Sequence, residues 1–197
     1  MLTGVTVERA VLMTGIGGQG IQLIAKLLAQ SAMRERRQVM MFGLFMGTIR
    51  GGSSESTVVI GDAEIVAPPI VPSAWAVVSM HPGGLAAVTR KLEPGGVLLV
   101  NSSLVTSAPE RDDVRRIAIP ATEMAKAMGQ VMGASMIALG AFAGLTGIVA
   151  VASLHAALAD VLPAHRRKLI DTNRACITRG AEYVAAHDAP DGARAWG

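Results

Sequence analysis

Apolar runs that alternate with segments of helical spacing predict an α/β fold with a mainly parallel sheet and helices on both faces. The runs at residues 10–13 and 97–100 are continuously apolar, as strands buried on both faces are. The segment 21–32 has the period of a helix packed on such a sheet. Further helical patterns close the chain as a C-terminal helical segment. We expect one domain over residues 8–186 and a loose tail over 187–197.

A glycine-rich turn joins the first strand to the first helix. Glycines permit a sharp turn and positive φ angles, and the N–H groups at a helix N-terminus attract anions. We therefore predict a binding turn for an anion or a carboxylate, and the alternative is a tight turn that only packs the helix on the sheet. The residues concerned are Gly15, Gly17, Gly18, Gln19 and Gly20.

Three of these glycines, Gly15, Gly17 and Gly20, also match the G-x-G-x-x-G pattern of Rossmann-like dinucleotide sites. That pattern expects an acidic residue about 20 positions later, at the end of the second strand, to bind the ribose. The corresponding place, residues 40–42, reads Met-Met-Phe and contains no acid. The glycine pattern after a strand still predicts a Rossmann-like fold. A free-standing dinucleotide-binding oxidoreductase remains the alternative function.

A second candidate binding segment lies in a predicted long loop over residues 43–55. Arg50, Gly51, Gly52 and Ser53 combine a cation, a flexible backbone and a hydroxyl group, which suit an anionic partner. The alternative is that Arg50 is a solvated loop residue. We expect this segment to lie close to the glycine turn, so that both contact the same ligand.

Composition narrows the classes of function. Aromatic residues make up 3% of the chain and the net charge is +3, which argues against nucleic-acid binding. Charged residues are 17%, so we expect another subunit, or a second copy of the isolated chain, to cover part of the surface. Cys176 is the only cysteine, which excludes an internal disulfide and a CxxC metal or Fe–S site. With no secretory signal recognised, we expect a cytoplasmic protein.

The stretch 127–159 contains no Asp, Glu, Lys or Arg, so a membrane-anchored scaffold has to be considered. Its most apolar part, 136–151, is shorter than a span and is interrupted by glycines and polar residues. A buried helix that carries a subunit contact is the better interpretation. His81 is expected at the ligand edge of the sheet, where it is more often structural than catalytic. We find no nucleophile triad and no metal-ligand spacing, and predict no catalytic or metal-binding residue in this chain.

The glycine turn, the segment Arg50–Gly52 followed by the strand 57–60, and the order of elements over 75–105 resemble the gamma subunit of 2-oxoacid:acceptor (ferredoxin) oxidoreductases. The resemblance covers roughly residues 10–186. Two positions depart from the family pattern around Arg50. Met46 stands where a glycine is common, and Thr48 where a glutamate is common.

The resemblance implies a role as the gamma subunit of a thiamine diphosphate-dependent complex that oxidatively decarboxylates a 2-oxoacid to its acyl-CoA. The thiamine diphosphate and Fe–S clusters belong to partner subunits, namely alpha and beta chains and a ferredoxin-like delta chain. No cofactor is expected on this chain alone, although the gamma subunit is placed to help bind coenzyme A. The isolated chain is expected to be inactive.

Overall fold

The computed structural model describes residues 7–45, 52–68, 70–187 and 195–196. Over these ranges the chain forms one six-stranded sheet covered by helices. The strands are β1 (Glu8–Ile16), β2 (Gln38–Phe45), β3 (Ser53–Gly61), β4 (Ala74–Ser79), β5 (Leu92–Asn101) and β6 (Arg115–Ile119). The helices are α1 (Ile21–Arg34), α2 (Leu85–Thr89), α3 (Ala121–Ala127), α4 (Ala134–Thr146), α5 (Val151–Val161) and α6 (Ile170–His187), with 3₁₀ helices at Val131–Gly133 and Ala164–Leu169.

The sheet is mainly parallel. Its strand order is β2-β3-β1-β4-β5-β6, and β1, β4, β5 and β6 run in the same direction, so that their carboxyl ends share one edge. Only β3 is reversed, and it pairs with β1 on one side and β2 on the other. The predicted α/β fold, with its mainly parallel sheet and C-terminal helices, is confirmed. The reversed strand is an addition that the apolar pattern does not signal.

The hairpin formed by β2 and β3 replaces much of the loop predicted over residues 43–55. β2 continues to Phe45 and β3 begins at Ser53, with Gly43 opposite Ser56. A Cβ atom at Gly43 would lie 2.7 Å from Oε1 of Gln22, so a larger residue there would require the end of the Gln22 side chain to move. Residues 46–51 lie outside the described residues.

The two faces of the sheet are covered unequally. Val11, Met13 and their neighbours on one face pack against the long helices, which contribute fully buried residues such as Leu27 of α1 and Phe142 of α4. Leu12 and Leu98 on the opposite face belong to a smaller cluster that includes residues of the five-residue α2 and of irregular connections. Helices therefore lie on both faces, as predicted, but the main core lies on the α1 side.

The apolar helix α4 packs on α6 at a close crossing built from glycines. A Cβ atom on Gly140 would strike the backbone carbonyl of Ile177, and one on Gly180 would strike that of Ile137. Residues 135–143 of α4 are all buried within this chain. The expected buried, small-residue helix is therefore found, with its small-residue face used by α6, and a subunit contact elsewhere on this stretch stays a prediction. No helix in the described part of the chain is long and apolar enough to cross a membrane.

Two residues of the predicted loose tail are held against the domain. The N–H of Ala195 donates to the carbonyl oxygen of Thr146 at 2.9 Å, and Arg9 Nε donates to the Ala195 carbonyl at 2.8 Å. The indole N–H of Trp196 donates to the Ile148 carbonyl at 3.0 Å, and the Arg37 guanidinium lies 3.7 Å from the centroid of the Trp196 ring. Ala195 and Trp196 are thus bound to the last residue of α4 and to the turn after it, while residues 188–194 lie outside the described residues, so that a loose tail over 187–197 stays a prediction.

Gly140→Ala should lower the free energy of unfolding by about 3 kcal/mol. The new methyl group would collide with the Ile177 backbone, and only a displacement of α4 relative to α6 could relieve the collision. Gly144→Ala on the same helix is the matched control. Its Cβ would lie 3.1 Å from Ala181 Cα, a contact that a small shift relieves. Both substitutions gain about 1 kcal/mol of helix propensity. The difference between their free energies of unfolding therefore reports the steric cost at the closest approach of α4 and α6. Chemical denaturation measures this difference, and equal stabilities of the two variants would contradict a close backbone contact at Gly140.

Candidate functional site

The glycine turn, residues 15–20, carries the chain from β1 into α1 through two left-handed positions. Gly18 has φ 95° and Gly20 has φ 78°, conformations that an L side chain rarely adopts. The Gln19 N–H closes the turn on the Ile16 carbonyl at 3.1 Å, and the Gly20 carbonyl accepts the first bonds of the helix. A Cβ on Gly20 would also lie 2.9 Å from Ser135 Oγ. Glycine is therefore required at these positions for the helix to begin at the sheet edge.

The Gln19 side chain is used inside the protein. Its Oε1 accepts the Ile16 N–H at 2.9 Å, and its Nε2 donates to the Met80 carbonyl at 3.3 Å. Gly15 lies beneath it, since a Cβ there would lie 2.6 Å from Gln19 Oε1. The structure thus gives two of the predicted site residues, Gly15 and Gln19, a role in shaping the turn.

The Met80 carbonyl joins the ends of three parallel strands. Besides Gln19, it accepts a bond from Asn101 Nδ2 at 3.4 Å, and the Met80 N–H donates to the Thr14 carbonyl at 2.9 Å. Asn101 Nδ2 also donates to Thr122 Oγ1 at 2.8 Å. These bonds fix the ends of β1, β4 and β5 relative to one another. His81, next in the chain, has its Nδ1 engaged by the Gly83 N–H at 3.1 Å, which agrees with a structural role.

The start of β3 lies directly beside the glycine turn. The Gly17 N–H donates to the Gly52 carbonyl at 2.9 Å, and Ser53 is paired with Ile16. The expected closeness of the two glycine-rich segments is therefore found for Gly52 and Ser53. Arg50 and Gly51 lie outside the described residues.

An open cleft of about 450 Å³, which we call the glycine cleft, lies between these segments. The turn, the first residues of α1 and the start of β3 line it, and two residues from later elements complete it. Arg166 is the only charged side chain among the described residues of its lining. The lining consists of Ile16, Gly17, Gly18, Gly20, Ile21, Gln22, Leu23, Gly52, Ser53, Ser54, Met132 and Arg166. The cleft thus combines a helix N-terminus with a cation, which favours an anionic ligand.

Arg166 and Met132 are the cleft residues from distant elements that sequence reasoning missed. Arg166 belongs to the exposed 3₁₀ helix Ala164–Leu169, which the sequence pattern merges into the following amphipathic helix. The available signal was Pro163, which ends the preceding helix, followed by the basic residues 165–168. Nothing in the local pattern places that segment near residue 17, because the contact arises from tertiary packing.

Two kinds of reactive group were sought among the described residues, namely an activated thiol and a cluster of metal ligands. Cys176 is buried beside Gly133, and burial raises the pKa of its thiol, which keeps it protonated and unreactive. Within the described ranges, no three His, Cys, Asp or Glu side chains come together as metal ligands would.

Gln19→Glu should destabilise the glycine turn. The carboxylate can still accept the Ile16 N–H, but it has no N–H for the Met80 carbonyl and places two acceptors against each other. We expect a loss of about 1–3 kcal/mol in the free energy of unfolding, as for a buried group deprived of its partner. Gln30→Glu, the same change further along α1, is the control. The expectation is wrong if both variants unfold at the same denaturant concentration.

Comparison with known proteins places this geometry in a family. Residues 10–183 match the family described as pyruvate ferredoxin/flavodoxin oxidoreductase. The 2-oxoglutarate synthase subunit KorC of Methanothermobacter thermautotrophicus is 31% identical over 166 residues, which cover 81% of this chain and 87% of KorC. The gamma subunit of a keto/oxoacid ferredoxin oxidoreductase from Geobacter sulfurreducens PCA superposes with a TM-score of 0.79 at 28% identity, covering 91% of this chain and 97% of that one.

A longer relative contains the same domain as one part of a larger chain. The ketoisovalerate oxidoreductase subunit VorA of Methanothermobacter thermautotrophicus is 31% identical over 179 residues, or 90% of this chain, yet the match spans only 36% of VorA. The predicted family resemblance is confirmed, and the alternative of a free-standing dinucleotide-binding oxidoreductase is not favoured. The chain belongs to the pyruvate ferredoxin/flavodoxin oxidoreductase family and is of its gamma-subunit type.

Proposed function

We propose that the chain serves in the cytoplasm as the gamma subunit of a thiamine diphosphate-dependent 2-oxoacid:ferredoxin oxidoreductase. In this role it supports oxidative decarboxylation of a 2-oxoacid to its acyl-CoA, while partner subunits carry the chemistry. The observation that supports the proposal most is the family match over residues 10–183, since it spans nearly the whole described domain. The proposed partners are thiamine-binding alpha and beta subunits and a ferredoxin-like delta subunit with Fe–S clusters.

We further propose that the glycine cleft binds the phosphate groups of coenzyme A within the assembled enzyme. The unpaired N–H groups at the start of α1 and the guanidinium of Arg166 provide the positive potential that a phosphate needs. Ser53 and Ser54 also line the cleft, and the alternation of side chains along β3 places the Ser54 hydroxyl, a further hydrogen-bond donor, on the α1 face of the sheet. Arg50 is proposed to add a second cation, and Gly51, which adjoins Gly52 in sequence, is proposed to belong to the same site.

The sheet order argues against a dinucleotide in the glycine cleft. In dinucleotide-binding folds, the second strand lies next to the first and its end presents an acid to the ribose. Here β3 separates β2 from β1, and the described end of β2 carries no acid. The ribose partner expected of a dinucleotide site is therefore missing from the described residues beside the glycine turn.

The function is tested by reconstitution with the alpha and beta subunits. The purified chain alone should bind no thiamine diphosphate and oxidise no 2-oxoacid, whereas the complex should reduce ferredoxin in the presence of a 2-oxoacid and coenzyme A. Titrating the isolated chain with NAD(H), NADP(H) and FAD tests the alternative. Turnover by the isolated chain, or micromolar binding of a dinucleotide, would refute the subunit role.

Arg166→Ala should weaken binding of coenzyme A to the assembled complex about ten- to hundredfold. A hydrogen bond to a charged group contributes about 1.5–3 kcal/mol, and 1.4 kcal/mol corresponds to a factor of ten. Arg167→Ala is the matched control, because Arg167 is exposed on the same 3₁₀ helix and does not line the cleft. Isothermal titration calorimetry measures both. Equal affinities for the two variants would remove Arg166 from the site.

Arg50→Ala should act in the same direction as Arg166→Ala and leave the isolated fold intact. Arg50→Lys should restore the affinity only in part, because lysine lacks the planar fork that binds phosphate through two donors. Complex yield is measured alongside affinity, so that a loss of assembly is not mistaken for a loss of ligand binding. If neither quantity changes, Arg50 is a solvated loop residue.

A further inference from the structure

Ala195 and Trp196 are held by residues from three distant parts of the chain, which together we call the tail-binding site. These parts are the start of β1, the turn between α1 and β2, and the turn between α4 and α5. The members of the site are Arg9, Arg37, Thr146 and Ile148. Because the glycine turn follows the carboxyl end of β1, this site and the glycine cleft lie at opposite ends of that strand.

The site binds the backbone of Ala195 through two hydrogen bonds. Thr146 is the last residue of α4, so its carbonyl has no partner within the helix, and it accepts the Ala195 N–H at 2.9 Å. Arg9 Nε donates to the Ala195 carbonyl at 2.8 Å. Ala195 is completely buried, and both of its backbone groups are satisfied, as burial requires. Its binding geometry is therefore well defined.

The Trp196 ring is contacted at its edge and on its face. The indole N–H donates to the Ile148 carbonyl at 3.0 Å, while the guanidinium carbon of Arg37 lies 3.7 Å from the ring centroid. Tryptophan is the aromatic residue that attracts a cation most strongly, and it also carries the N–H donor that phenylalanine lacks. The site is therefore matched to an indole ring.

The two arginines of the site have no competing ion pair. Within the part of the chain that the structure describes, neither Arg9 nor Arg37 meets a carboxylate. The Arg9 guanidinium also lies 5.1 Å from the Trp75 ring centroid, and the backbone N–H of Arg37 donates to the Ala32 carbonyl at 3.0 Å. Both side chains thus start from an ordered backbone and are available to a carbonyl oxygen or an aromatic face.

We infer that the tail-binding site is a receptor for a tryptophan-bearing peptide segment, and that residues 195–196 of the same chain occupy it. The occupied site ties the turn between α4 and α5 to the starts of β1 and β2. Glu35 Oε1 accepts the Ala150 N–H at 2.7 Å, so α1 and the tail hold this turn together. The inference is independent of the proposed function, because none of the four residues of the site lines the glycine cleft.

Fluorescence quenching tests whether Trp196 occupies the site. The chain has two tryptophans, so Trp75→Phe leaves Trp196 as the only one, and quenching by acrylamide then reports on that ring alone. Arg37→Ala in this background should raise the quenching constant at least twofold, because it uncovers the face of the ring. Arg36→Ala is the matched control, since Arg36 is the exposed neighbour of Arg37 and loses the same atoms. We expect it to leave the quenching constant unchanged.

A peptide added in trans tests whether the site is a receptor. Ala195→Pro combined with Trp196→Ala in the full chain should displace the tail, because the first change removes the N–H donor and the second removes the ring. A synthetic peptide with the sequence of residues 188–197 should then bind saturably in calorimetry. The same peptide carrying Trp196→Ala should bind at least tenfold more weakly. The wild-type chain should also bind the peptide at least tenfold more weakly, because its own tail competes at a high effective concentration.

Four results would overturn the inference. They are quenching of Trp196 in the Trp75→Phe chain as strong as in the free peptide, equal quenching of the two arginine variants, no peptide binding by the folded double variant, and equal peptide binding by the double variant and the wild type. Circular dichroism establishes that each variant is folded. If the double variant does not fold, the quenching comparison, which keeps the tail intact, decides by itself.

Discussion

The site depends on how the ends of three strands are held together at the Met80 carbonyl. Parallel strands end with backbone groups that have no further partner in the sheet, and these must be satisfied if the edge is to be rigid. Gln19 and Asn101 supply the missing donors from two different strand ends. Because Gln19 is also part of the glycine turn, the same bond fixes where α1 begins, and therefore where its positive end points.

Much of this arrangement could be predicted from the sequence because its signals are local. The glycine turn is encoded by a few adjacent residues that bend the chain and start a helix. The buried strands are predicted by continuous apolar runs. The direction of β3 could not be predicted, since a β-branched run such as residues 57–60 reads the same either way. The location of Arg166 at the cleft could not be predicted either, because it results from packing between elements far apart in sequence.

The crossing of α4 and α6 could likewise be predicted only in part from the sequence. The spacing of Gly140 and Gly144 indicates that some backbone comes close to α4, but not which one. The structure identifies it as α6, and Gly180 on that helix provides the reciprocal space. A subunit contact and an internal contact make the same demand on the sequence, so composition alone cannot separate them.

The antiparallel placement of β3 has a consequence for how such chains diversify. β2 and β3 form a hairpin, so the segment that joins them leaves and re-enters the sheet at the edge that carries the glycine turn. A hairpin connection can gain or lose residues without displacing the strands it joins, and the entropic cost of a longer loop rises only slowly. Insertions and deletions at this connection are therefore compatible with strands, turn and first helix that keep their positions.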